Sequence, residues 1–277
     1  EVNTATLRRL CEGSATKQDR TRVEQLVGDF YAAALNEAWL EELKFKPIAE
    51  KLESIAALVT KDEAASLIAK LHHDGTGTFF GWYVDADERH SNTYALHLVQ
   101  GGLSLPEREY YLDKDFEAQR AAFVTHVSRM FELAGDTPAV AKAGANDLLR
   151  LETLLARASK PAQDLNDSAA NYHKMTPQEL ARAAPEFPWP LWWQGMGIEP
   201  SSLIAAQPEF LSSIARVFHS EPISSIRNYL RWNVVHEAAS MLHRAVDDEN
   251  FAFFGKVLDG KKEQRARWKR GIAATDH

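Results

Sequence analysis

Cysteine is all but missing from this 277-residue chain. The single Cys11 cannot close an internal disulfide, and a domain of this length folds without one, so the redox compartment stays open. Long apolar runs are missing too: none approaches the roughly 18 consecutive apolar residues of a membrane-spanning helix. The opening Glu1-Val2-Asn3-Thr4 carries no basic-then-apolar signal pattern. A cationic excess is also lacking, since 32 Lys+Arg stand against 39 Asp+Glu for a formal net charge of -7, and nucleic acid is not an expected partner. No internal repeat, glycine-rich linker or low-complexity tract divides the chain.

Reactive-site patterns are equally scarce. A zinc-gripping helix presents His-Glu-x-x-His, because residues four apart share a face and the glutamate can activate the bound water. None of the ten histidines stands in that pattern. In His236-Glu237-Ala238-Ala239-Ser240 the second ligand position is serine. His243 lies two helical turns beyond His236, roughly 10 Å along the axis, too far to share one ion. His72 and His73 are adjacent on a helix, where neighbouring side chains diverge, and they suit a helix C-terminus. Gly-x-Ser-x-Gly and Gly-x-x-x-x-Gly-Lys are absent, and Cys11 has no identifiable base. Glu41-Glu42 and Asp247-Asp248-Glu249 sit in polar surroundings and read as solvated faces. No catalytic, metal-binding or cofactor-binding residue is assigned.

What the chain does have is apolar residues at helical spacing, with 45% hydrophobic content to fill a core. Val23, Leu26, Val27 and Phe30 form one such face; Leu52, Ile55, Ala56 and Val59 form another. Thr60 and Glu63 make a capping box ahead of Leu67, Ile68 and Leu71, and that helix closes at His72-His73-Asp74-Gly75. The aromatic and β-branched stretches 78–84 and 93–99 predict a β-hairpin with a polar connection over 85–92. Helical spacing resumes with Phe123, Val127, Met130 and Phe131, then with Leu148, Leu151, Leu154 and Leu155. Thr176-Pro177-Gln178-Glu179 reads as a complete helix start. Residues 187–193 hold too much proline to begin a helix, although their tryptophans should be partly buried. Helices are expected again over 208–218, 223–242 and 251–258, and the chain ends inside a helix-compatible pattern. The fold class is mainly α: a helical lobe with one small β-hairpin.

One segment is more specific. Gln100-Gly101-Gly102-Leu103-Ser104-Leu105-Pro106-Glu107-Arg108-Glu109-Tyr110-Tyr111-Leu112 resembles the Gln-x-Gly-Leu-x-Leu-Pro-x-Arg-x-Tyr-Tyr signature of neprilysin-family zinc metallopeptidases. Further likenesses follow in family order: Gly28-Asp29-Phe30-Tyr31, Leu151-Glu152-Thr153-Leu154-Leu155-Ala156, Tyr172-His173-Lys174-Met175-Thr176, Asn228-Tyr229-Leu230 with Trp232, and Arg267-Trp268-Lys269-Arg270. The sequence departs from the family at His173, commonly asparagine, at Leu165, usually arginine, and at Gly271, where many members have a disulfide cysteine. The last departure agrees with the lone Cys11 and points to a bacterial member without that disulfide framework.

The resemblance implies that residues 1–277 are the N-terminal helical, lid-like region of such a peptidase, truncated at both ends, with the zinc-binding catalytic domain outside the chain. Zinc is then the cofactor of the parent enzyme and not of this region. The expected partners are that catalytic domain and, for the parent, short peptides; an exported location follows for the parent by the same likeness. The chain itself would be a size-selecting wall of the substrate chamber, inactive alone. A free-standing helical interaction module is the alternative. The signature is expected to be structural: glycines for tight passage after the hairpin, Pro106 to fix the exit, and Tyr110 and Tyr111 to pack their rings.

Overall fold

The computed structural model describes residues 2–275, Val2 by its backbone alone, and divides them into two compact units. One unit runs from Ile48 to Glu237; the other joins the first 47 residues to those after Glu237. Fourteen α-helices, four short 3-10 helices, one π-helix and one four-stranded sheet make up the regular structure among the described residues, so the chain is mainly α.

In the larger unit the predicted hairpin is present as β1 (Phe80–Asp87) and β2 (His90–Gln100), antiparallel with Val84 opposite Leu96. Cross-strand pairing carries both strands into the segment expected to be a polar loop, so only Glu88 and Arg89 remain as the turn. Two short strands were not legible. β3 (Lys174–Met175) and β4 (Leu203–Ala205) extend the sheet in the order β1-β2-β4-β3, with β4 parallel to β2 and antiparallel to β3. Runs of two and three residues carry too little alternation to be seen in sequence.

Helices cover this sheet. The capping boxes at Thr60 and Thr176 form as read, each threonine hydroxyl accepting from the N3 amide while the glutamate reaches back to the cap. The Trp189–Met196 helix corrects the reading of 187–193: Pro188 precedes the helix and Pro190 falls in its first turn, where no N–H is required. Trp189 and Trp192 are fully buried there. Both pack on Phe80 and Trp189 also on Phe187, and Phe187 meets Phe218 at 4.9 Å between ring centroids, which gives this unit an aromatic core. The Pro138–Ala158 helix buries Leu148, Leu151 and Leu155, as its spacing predicts.

The smaller unit packs the Val2–Thr16, Arg22–Leu35 and Arg267–Thr275 helices around Cys11, Tyr31 and Ile272. Here the expected face is only partly right, for Val27 packs against this core and the rest of the face does not. Val23 and Leu26 are 70% and 64% exposed, while Gly28, Tyr31 and Ala34 face inward. Gly28 decides the orientation: a Cβ there would come within 2.3 Å of the Ser14 carbonyl oxygen, so the two helices touch backbone to backbone at this point. The 251–258 segment is a π-helix, in which Gly255 leaves room for the Phe251 ring. Residues 276 and 277, part of the helix-compatible end of the sequence, lie outside the described residues.

Candidate functional site

The signature segment folds into a buried polar junction in the larger unit. Its first residue, Gln100, ends β2 and uses its side-chain amide on the backbone of Lys160, donating to the carbonyl at 3.0 Å and accepting from the N–H at 2.8 Å. Gly101 and Gly102 then pass close to Phe79 and Phe80. Gly102 has φ +81°, and a Cβ on it would lie 2.6 Å from the Tyr229 hydroxyl and 2.8 Å from Phe79 Cα. Phe79 itself holds φ +46°, an uncommon state for a bulky residue. The Tyr229 hydroxyl stabilises both strands of the crossing, accepting from Phe79 N–H at 2.8 Å and donating to the Gly102 carbonyl at 2.9 Å.

At the centre lies Glu152, fully buried on the Pro138–Ala158 helix. It accepts from the Ser104 hydroxyl at 2.5 Å and from the Tyr111 hydroxyl at 2.6 Å. Tyr111 in turn accepts from the Leu105 N–H at 2.8 Å, and Ser104 accepts from Trp232 Nε1 at 2.7 Å. Burial pushes the Glu152 carboxyl up to about 7, against the opposing pull of the Ser104 and Tyr111 hydrogen bonds. Burial and the neighbouring Glu152 charge raise the Tyr111 phenol well above its ordinary value. Leu105 is buried beneath this network. Tyr110 lies outside it, stacked on Phe116 at 4.1 Å between centroids. Leu103, Pro106 and Arg108 line a crevice beside the junction.

The structure therefore brings Gln100, Gly101, Gly102, Leu105, Tyr111 and Trp232 to one place, and adds Glu152 and Tyr229, which stand in the family likenesses without a role of their own. A signal for Glu152 existed: it stands four residues after Leu148 and beside Leu151 on an otherwise apolar helix face.

Tyr172 and Lys174 meet elsewhere. Both bind Asp87 at the end of β1, the Tyr172 hydroxyl donating at 2.9 Å and Lys174 Nζ at 2.7 Å. The Lys174 bond holds the Asp87 carboxyl well below the usual carboxylate range, and the Arg89 guanidinium lies 4.2 Å from the Tyr172 ring centroid. Met175 pairs with Leu203 in the sheet, and Thr176 caps the helix that follows. In the smaller unit, Trp268 packs beside Cys11, Tyr31 and Ile272 with Arg8 over its ring.

Asp247 corrects the reading of 247–249 as a solvated face, being only 3% exposed. Arg270 grips it with two hydrogen bonds of 2.8 Å, and Arg267 and Gln264 complete its shell. Arg267 and Arg270 are three apart on one helix, so both reach the same carboxylate. His72 stands in the last turn of the Lys61–His73 helix, as its position suits, and is also a buried core residue. Its Nδ1 accepts from Trp192 Nε1 at 3.1 Å, its Nε2 lies 2.9 Å from the Thr78 carbonyl, and burial lowers its pKa to about 4. His236 stacks on Trp232, and burial lowers it to about 4 as well. Among the described residues no three His, Cys, Asp or Glu side chains are placed to hold a metal ion.

The family model described as peptidase family M13, its N-terminal part, matches residues 1–277. The chain belongs to this family. Endothelin-converting enzyme 1 of Cavia porcellus is 29% identical over 292 residues, covering 100% of this chain and 38% of that protein. The human enzyme is 28% identical, with 37% of its length covered. Among solved structures, zinc metalloprotease ZMP1 of Mycobacterium tuberculosis in its open state superposes with a TM-score of 0.95 at 30% identity, covering 99% of this chain and 44% of that one. PepO of Lactobacillus rhamnosis shares the fold at a TM-score of 0.79 and 18% identity. The M13 chain described here thus spans less than half the length of the relatives it matches. Among its described residues no helix is long and apolar enough to cross a membrane.

Proposed function

We propose that this M13 chain is the non-catalytic lobe of a zinc endopeptidase that hydrolyses short peptides, and that the lobe walls the substrate chamber and selects substrates by size. The observation that carries the reading is the whole-length agreement with the N-terminal family model, together with an interior devoted to packing and polar cross-bracing. Containment requires shape and rigidity, which an aromatic core and a buried hydrogen-bonded junction supply. The partner in this reading is a catalytic domain carrying His-Glu-x-x-His and the zinc, in the same exported protein. The open apolar stripe of Leu10, Val23, Leu26 and Phe30 suits a body that is covered by another part of a larger molecule.

The gene gives the first test: the reading frame beyond residue 277 should encode His-Glu-x-x-His. The complete enzyme should then cleave short fluorogenic peptides and leave folded proteins intact. A frame that stops without that motif favours the free-standing interaction module, and equal cleavage of large folded substrates removes the size-selecting role.

A further inference from the structure

The strand order leaves β1 with a neighbour on one side only. Which of its backbone groups face the open side follows from β2. The Leu98 carbonyl accepts from Ala206 N–H at 2.8 Å and Gln100 N–H donates to Gln207 Oε1 at 2.9 Å, so the even-numbered residues of β2 turn towards β4. Ala95, His97 and Val99 therefore turn towards β1 and exchange hydrogen bonds with Asp85, Tyr83 and Gly81, their partners in register. By the same alternation Phe80, Trp82, Val84 and Ala86 point their backbone groups outward. Phe80 N–H turns back on the Thr78 carbonyl and Ala86 N–H on Asp85 Oδ1. Trp82 and Val84 have no outward hydrogen-bond partner among the described residues, and their donors and acceptors stand in a row on a free edge.

The side chains around this edge are open and acidic. Val84 is 59% exposed and Tyr94 82%, and the register puts both on one face of the hairpin. Tyr83 and Asp85 share the opposite face, where the Tyr83 ring stacks on His97 at 4.7 Å between centroids. Partial burial and then the Glu88 and Asp85 charges raise the Tyr83 phenol above its ordinary value, which marks both carboxylates as near that ring. Both are exposed, and neither has an ion-pair partner among the described residues, unlike Asp87, which Lys174 holds.

We propose that β1 takes up an extended, lysine- or arginine-bearing segment of a partner protein as a further strand of the sheet. The added backbone would pair with Trp82 and Val84, its alternate apolar side chains would lie on Val84 and Tyr94, and its cations would meet Tyr83, Asp85 and Glu88. A second copy of this chain suits the edge less, since it brings the same carboxylates and the same net charge of -7.

Fluorescence anisotropy tests it with the 277-residue chain and a labelled peptide of alternating lysine and valine, long enough to span β1 and blocked at both ends. The peptide should bind saturably and slow the hydrogen exchange of the Trp82 and Val84 amides. A form N-methylated throughout keeps every side chain and loses every backbone donor; it should bind at least about tenfold more weakly, as should a form with glutamate for lysine. Val84→Pro removes an outward N–H that β2 does not use, so the chain should stay folded and bind the lysine peptide about tenfold more weakly. Asp85→Asn combined with Glu88→Gln should weaken it by a similar factor. Thermal melts check each variant, and if the proline variant is unfolded the methylated peptide and the exchange pattern decide the backbone role. Equal binding of the methylated or the glutamate peptide, undiminished binding by either folded variant, unaltered exchange at Trp82 and Val84, or no binding in the millimolar range overturns the proposal. A dimer of the chain alone that Val84→Pro separates in sedimentation overturns it as well, assigning the edge to a second copy.

Discussion

Tyr111 and Tyr110 are neighbours with different work. Tyr111 is 4% exposed and its hydroxyl joins Glu152 to the Leu105 amide, whereas Tyr110 is half-buried and stacks on Phe116. Tyr111→Ala should cost about 3 kcal/mol or more in denaturant melts, from the lost ring and the stranded polar partners. Tyr110→Ala should cost clearly less. If both variants melt with the parent, the junction does not hold the fold and the segment is a surface. Glu152 adds a pH dependence. Its folded pKa, near 7, lies above the ordinary 4.5, so the native state binds the extra proton and is favoured at low pH. Stability from this group is fully present below about 4.5 and falls as pH rises towards and through 7, by about 3 kcal/mol at most. Glu152→Gln should flatten that slope in melts taken between pH 5 and 8; an unchanged slope would mean that other groups carry it.

At the scale of elements, the hairpin and the helices meet at a glycine. Gly102→Ala places a methyl against the Tyr229 hydroxyl and Phe79 Cα on backbone at φ +81°, so both contact and conformation oppose it. A loss of about 2 kcal/mol or more is expected by chemical denaturation, well beyond the loss of about 1 kcal/mol from removing the Thr176 cap with Thr176→Ala. Equal costs would show that the crossing can relax. Much of this element scale was legible: capping boxes at Thr60 and Thr176 and the helical spacing around Leu148 and Leu151 are local signals, and local hydrogen bonds realise them. The junction partners were not, because Tyr229 lies 127 residues from Gly102 and nothing in either neighbourhood names the other. The tip of the hairpin was lost for the opposite reason: Asp85 to Asp87 have poor strand propensity, yet pairing and the Lys174 and Tyr172 bonds to Asp87 hold them extended.

At the scale of the molecule, the amphipathic pattern of the Arg22–Leu35 helix is at odds with its burial. Val23 and Leu26 are open, and the inward face is built from Gly28, Tyr31 and Ala34. Replacing Val23 and Leu26 together by serine should leave the unfolding free energy of this chain unchanged within about 0.5 kcal/mol in denaturant melts. Gly28→Ala, directed at the Ser14 backbone, should destabilise it strongly. A large loss from the double serine variant would place that face in the core after all.

The sequence by itself determined the fold class, the hairpin, most helix positions and, through one thirteen-residue segment and its ordered companions, the family. Each depends on short-range spacing or on residue types that survive as a linear pattern. Tertiary structure decided which of those residues act together. It gathered Ser104, Tyr111, Glu152 and Trp232 into one network, buried Asp247 between two arginines, and left Val23, Leu26 and Phe30 of the expected apolar face open while Val27 packs on the core. Burial is a property of the assembled surface: a carboxylate such as Asp247 becomes an anchor only when arginines on a distant helix arrive to pair with it.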